Sequence, residues 1–324
     1  MRRRTFITAS LAWPITVRAE ARESRIGFLT PRSRPQPPAR DAFTDAFLRG
    51  MSVLCYDEGR NLAIDWRYAD GDYQRLGPFA AGLVAANPQV IVAYGTAAAR
   101  ALKAATSTIP IVVVAANDLL GSGIVQSLAR PGGNITGLSL IDVDVSGKQL
   151  DLLRIVLPRL SRVAVLINPG NGANLLVQRQ LERSASRLGI EVVPADAETS
   201  EEIDHAFESA AQRGAGGVIV AADDFLAGQG VQIARAGLRQ RLATISIYQD
   251  HVAAGCLMSY GQNVADFHRQ AARYVDRILK GATPGDLPVE QPTKFEFTIN
   301  IKTATVLGLD LPRALLASAD NLVE

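Results

Sequence analysis

Histidine and cysteine are nearly missing from this 324-residue chain, which holds three of the first and two of the second. His205, His251 and His268 sit in helix-like contexts with no companion at i+4, so the paired-histidine metal motif is excluded. Cys55 and Cys256 are separated by most of the chain and fall in different halves, which predicts two free, buried thiols rather than a disulfide. Excess charge is missing too: 34 basic against 32 acidic residues give a net +2, without the basic footprint of a nucleic-acid binder. No Gly-x-Ser-x-Gly elbow and no Walker-type phosphate loop occurs. Gly121-x-Gly123 lacks the third glycine of a dinucleotide fingerprint, because position 126 is Gln126.

What is present begins at the N-terminus. Arg2, Arg3 and Arg4 precede a largely apolar stretch at 6–17, and Val17-Arg18-Ala19 places small residues where a signal peptidase reads. The stretch is a dozen residues long and broken by Pro14, whereas a spanning helix needs about 20 apolar residues. The expectation is an export signal over 1–19, cleaved near Ala19, and a periplasmic mature protein starting near Glu20. Arg3-Arg4-Thr5-Phe6 matches the core of a twin-arginine signal, but no serine or threonine precedes the pair, so both export routes stay open.

About 300 residues remain, enough for two domains of ordinary size. Short aliphatic runs at 26–29, 62–68, 90–93, 111–115 and 135–140 alternate with helical patterns at 41–58, 73–86 and 97–105. After a helix at 146–156 the alternation restarts, with strands at 163–167, 190–194, 218–221 and 243–247 and helices at 175–188, 200–213 and 230–241. A further helix at 264–280, a proline-bearing connection at 283–292, a strand at 295–301 and a helix at 302–307 complete the chain. This pattern predicts an α/β protein with two doubly wound parallel-sheet lobes and a ligand cleft at the carboxyl ends of the strands.

Polar residues cluster at those strand ends. Tyr94-Gly95-Thr96-Ala97 ends one strand and opens a helix; its free amides and the Thr96 hydroxyl suit a carboxylate, while the plainer role for Thr96 is a helix cap. Asp118, Asn168 and Asp223 each follow a strand, as turn residues often do, yet with Thr96 they make four such positions facing one cleft, which points to a ligand. An aspartate there suits an ammonium, Asn168 offers a donor and an acceptor, and Tyr94, Tyr248, Tyr260 or Phe225 offer apolar walls.

Six segments carry a family resemblance: AATSTIP at 104–110, SLARPGGNITG at 127–137, SRVAVLINP at 161–169, MSYG at 258–261, YVDRILKG at 274–281 and LPVEQPTKF at 287–295. Together they resemble the TrpX-like family of ABC transporter substrate-binding proteins, over essentially the whole mature chain. The resemblance implies a type I periplasmic binding-protein fold, its two lobes joined by a three-stranded hinge and closing on a small solute for an inner-membrane permease. It implies lobe 1 over 22–140 plus 262–284 and lobe 2 over 141–261 plus 285–324, no catalytic residue, no metal or cofactor, and a monomer. The matching contact positions are Gly95, Thr96, Ala97, Asp118, Asn168, Asp223, Tyr260 and Gly261. This chain departs from the family pattern at Leu119, at Asp223-Asp224 and in the proline- and arginine-rich loop 31–38, which can reach the cleft. A doubly wound enzyme lacks its motifs here, a transcription regulator lacks room for a helix-turn-helix, and a sensory binding protein remains an alternative to transport.

Overall fold

The computed structural model describes residues 23–34, 42–117, 119–140 and 145–324. The segment 1–19, Asp118 and much of the loop 31–38 lie outside the described residues. The first sheet contains β1 (Ser24–Thr30), β2 (Leu62–Tyr68), β3 (Val90–Tyr94), β4 (Ile111–Asn117) and β5 (Ile135–Leu140), all parallel, in the order β2-β1-β3-β4-β5. Helices α1 (Ala42–Val53), α2 (Leu76–Ala85) and α3 (Gly95–Ala105) intervene. The sequences VIVAY of β3 and IVVVAAN of β4 are buried throughout, as strands covered on both faces must be, while edge strand β2 is mostly half-buried.

The second sheet contains β6 (Arg162–Ile167), β7 (Glu191–Asp196), β8 (Gly217–Val220), β9 (Ala243–Ser246), β10 (Met258–Gln262), β11 (Phe295–Asn300) and β12 (Asn321–Val323), in the order β7-β6-β8-β9-β10-β11-β12. It is parallel except that β11 runs antiparallel to β10. Its helices are α4 (Val145–Val156), α5 (Gly172–Ser186), α6 (Ser200–Gln212), α7 (Asp224–Ala227), α8 (Gly230–Arg239) and α9 (Gln249–Ala253). After β10 comes α10 (Val264–Leu279); α11 (Ile301–Leu307) and α12 (Arg313–Ser318) follow β11.

Helix α10 returns to the first lobe and packs along α1. Val264, Phe267, Ala271, Val275 and Ile278 form its buried stripe. Gly50 makes the close approach possible, since a Cβ there would stand 2.6 Å from the Arg269 carbonyl oxygen. The chain then stays on the first sheet: the Val289 amide donates to the Leu128 carbonyl at 2.7 Å, and the Ser139 amide to the Glu290 carbonyl at 3.0 Å. The return to the second sheet therefore falls between Glu290 and Phe295, later than the 284 boundary expected from the resemblance. With the passages after Leu140 and after Gln262, the chain crosses between sheets three times.

Both cysteines are free, but only Cys256 is buried, its thiol pushed up to about 12 by burial. Cys55 is exposed beyond the end of α1, where the chain turns out with φ 69°, so the expectation of two buried thiols is corrected. A thiol reagent should accordingly titrate one cysteine per native chain and two after denaturation; two fast-reacting thiols in the native protein would contradict this packing. Among the described residues, no helix is long and apolar enough to cross a membrane and no group of three metal-ligating side chains forms.

Candidate functional site

Strand order reverses between β1 and β3 in the first sheet and between β6 and β8 in the second, and such switch points open a crevice at the carboxyl ends of the strands. The two crevices face each other, and here the lobes are closed on them. Ala222, Ala227, Ile247 and Tyr248 from the second lobe join one apolar cluster with Phe43 and Tyr94 of the first.

At the centre, β3 runs into α3 with no intervening loop. Gly95 makes that turn with φ 80°, and a Cβ on it would overlap the Asp224 carboxylate, lying 2.5 Å from its Cγ. Asp224 therefore reaches across the cleft to the start of α3, where the first backbone amides have no carbonyl a turn earlier to bond. Thr96 neither caps that helix nor offers a free hydroxyl: its Oγ1 accepts the Asn117 amide at 2.9 Å and donates to the Asn117 carbonyl at 3.3 Å, tying α3 to the end of β4. This corrects both roles expected for it. Asn117 donates weakly across the cleft to the Ala222 carbonyl at 3.5 Å, and its buried Oδ1 has no donor among the described residues.

Asp223 is fully engaged. Its Oδ1 accepts the Phe225 and Leu226 amides at 2.9 and 3.0 Å, capping α7, and its Oδ2 accepts Tyr73 Oη at 2.8 Å and Asn171 Nδ2 at 2.9 Å. The expected ammonium role for Asp223 is corrected on that ground, since four donors already surround it. Burial still raises its pKa, with the Asn171, Leu226 and Tyr73 hydrogen bonds pulling it back. Asp224 is shifted further. Burial, then the Asp223 charge, raises its pKa well above the usual carboxylate range, and Arg32 from the first lobe opposes this.

Tyr248 also serves the second lobe itself: its hydroxyl exchanges hydrogen bonds with the Asp223 amide and carbonyl, each at 3.0 Å, while its ring faces the central space. Behind it His251, 4.9 Å away ring to ring, is held neutral by burial with a pKa of about 4. Asn168 accepts the Gly170 amide at 2.9 Å and turns toward Asp223.

Of the residues expected from the sequence, Gly95, Thr96, Asp223 and Tyr248 surround one central space that has room for roughly a single water. Three openings flank it: Ala97 lines one, Asn168 a second, and Gly261 a third beside the crossings. Tyr94 does not form a wall, because its ring lies in the core against His268 at 4.8 Å and Phe43 at 6.0 Å. Tyr260 does not either: alternation along β10 turns Ser259 and Gly261 to the cleft and stacks Tyr260 on Phe295 at 5.5 Å. Phe225 packs on Gly71 of the first lobe.

Asn117, Asn171, Asp224 and Tyr73 were not anticipated. Asn117 and Asp224 each stand one position from an expected residue, whereas Tyr73 carried no local signal. Arg32, in the loop already flagged, lays its guanidinium over Phe43 at 4.3 Å.

Comparison with known proteins agrees with this architecture. The family profile described as ABC transporter substrate binding protein matches residues 36–323. A tyrosine-binding protein of Clostridioides difficile (strain R20291) is 26% identical over 286 residues, covering 88% of this chain and 80% of that one. A conserved domain protein of Vibrio cholerae superposes with a TM-score of 0.83 at 29% identity, over 94% of this chain and all 100% of the other. The ABC domain from Streptococcus pneumonia in complex with L-Trp gives 0.83 at 23% identity, over 93% and 100%. The ligand-free, open structure of an adhesive substrate-binding protein from Clostridium difficile gives 0.63 at 24%, over 93% and 99%. With two parallel-sheet lobes of the type I periplasmic binding-protein kind and a profile match spanning nearly its full length, this chain belongs to the ABC transporter substrate-binding protein family.

Proposed function

We propose that this protein is exported by the segment 1–19, captures an amino acid, with aromatic ones first, between its lobes as a monomer, and delivers it to an ABC permease. The observation that carries the solute class is the buried Asn117 Oδ1, an acceptor with no donor among the described residues, set with the buried Asp224 carboxylate beside the amide end of α3. An amino acid is complementary to that set: its ammonium supplies the missing donor and its carboxylate takes the amides. Two similar proteins, one a tyrosine-binding protein and one solved in complex with L-Trp, support an aromatic side chain. The central space is too small for such a solute, so capture needs the lobes to part and reclose around it. A solute touching both lobes only when they are closed stabilises closure by that difference.

Calorimetric titration of the mature protein with L-tryptophan, L-tyrosine and their desamino analogues tests this. Binding of the amino acids is expected, and Asp224→Asn should weaken it by roughly 10- to 100-fold while leaving the desamino analogues nearly unchanged. The pH dependence has a definite sign. Burial raises the Asp224 pKa, so the closed, empty protein gains stability from the bound proton in acid and loses it as pH rises through the raised pKa. An ammonium must displace that proton, so affinity should fall as the pH is lowered. Equal affinity in wild type and Asp224→Asn would remove the ammonium role, and no binding of either amino acid would remove the solute class.

A further inference from the structure

Contacts across the cleft are unequal on its two sides. Beside the three crossings the lobes are covalently joined, whereas on the far side the segment 71–73 of the first lobe makes a compact set of contacts with 223–225 of the second. Gly71 holds φ 84°, and the Phe225 ring lies so close that a Cβ on Gly71 would stand 3.0 Å from its Cδ2. Two residues on, Tyr73 opens a short 3-10 turn (Tyr73–Arg75) whose entry is fixed by Asp72 accepting the Gln74 amide. Its hydroxyl donates to Asp223 Oδ2 at 2.8 Å, and its ring packs on the apolar clusters of both lobes. The acceptor cannot follow a retreating partner, because two α7 amides and Asn171 hold it. The bond is therefore made in the closed arrangement and lost on opening.

Tyr73 also stands between the two openings on this side and lines both, yet it does not line the central space. We propose that Tyr73 is the clasp of the cleft, a residue that makes no contact with the solute but sets how fast the solute leaves. This rests on the cleft being the solute site. Encounter happens with the lobes apart, before the hydrogen bond exists, so the association rate does not depend on it. Departure requires it to break together with the ring's packing on one lobe. Differences between variants of one binding site fall mostly in the dissociation rate, as such a clasp requires.

Tyr73→Phe keeps the ring and removes only the donor. Stopped-flow measurement with L-tryptophan and L-tyrosine should show dissociation faster by roughly tenfold, association within about twofold of wild type, and an unchanged ratio of the two affinities. A second readout needs no ligand. In a Cys55→Ser background, spin labels at Ala81→Cys on α2 and Arg179→Cys on α5, both exposed, report the distance between lobes, and Tyr73→Phe should enlarge the open fraction of the empty protein. If neither amino acid binds the wild type, the proposed function fails, and the label distances alone decide the clasp. An open fraction and a dissociation rate both equal to wild type overturn the proposal. So does a changed preference between the two amino acids, which would make Tyr73 a solute contact.

Discussion

Gly95→Ala should abolish most solute binding while each lobe stays folded. Two penalties act at this position. The left-handed conformation, φ 80°, costs an L-residue about 1–2 kcal/mol in either state of the cleft. The second penalty exists only when the lobes are closed, because the new methyl would occupy the space of the Asp224 carboxylate. A penalty confined to the closed state lowers affinity directly, since only that state makes all the contacts. We expect binding weaker by roughly a hundredfold or more, with a melting temperature only a few degrees lower. Scattering should show a more open empty protein, and adding Asp224→Gly should bring closure back. Retained affinity together with a wild-type scattering profile would show that the lobes do not meet at Gly95.

Asp223→Ala should act on stability instead. Four donors lose their acceptor at once: two amides at the start of α7, the Asn171 side chain and the Tyr73 hydroxyl. Each buried donor left alone costs about 1–3 kcal/mol, and the sum is reduced because neighbours share relaxation. A destabilisation on the order of 3–5 kcal/mol follows, or a fall in melting temperature of about 10 °C measured without solute. Asp223→Asn, which can still accept both amides, should lose much less. If the alanine variant melted within about 2 °C of wild type, the network would not be holding the second lobe's cleft edge.

The architecture was legible because central parallel strands announce themselves. The runs at 90–93 and 111–115 fall inside β3 and β4 at the middle of the first sheet, and the alternation with helices repeats twice along the chain. Two classes of detail were not legible. Helices α7 and α9, of four and five residues, are too short for any period to show, so nothing local revealed that Asp223 caps a helix while its neighbour Asp224 faces the cleft. The strand MSYGQ was not anticipated either; with it, period-two alternation separates Gly261 and Ser259 from Tyr260. Thr96 and Tyr73 depend on partners 21 and 150 residues away, a distance that propensity and capping rules do not span.

The packing of α10 along α1 has a consequence for how the chain comes into being. One face of the first sheet is closed by a helix encoded more than 120 residues after its last strand, β5 (Ile135–Leu140). During synthesis, at about 5–20 residues per second, Phe47, Val92 and Val114 emerge early and wait for Phe267 and Val275 before their core is complete. The N-terminal lobe is thus finished late, at about the same moment as its partner, and the nascent chain stays short of a finished fold until nearly all of it has been made.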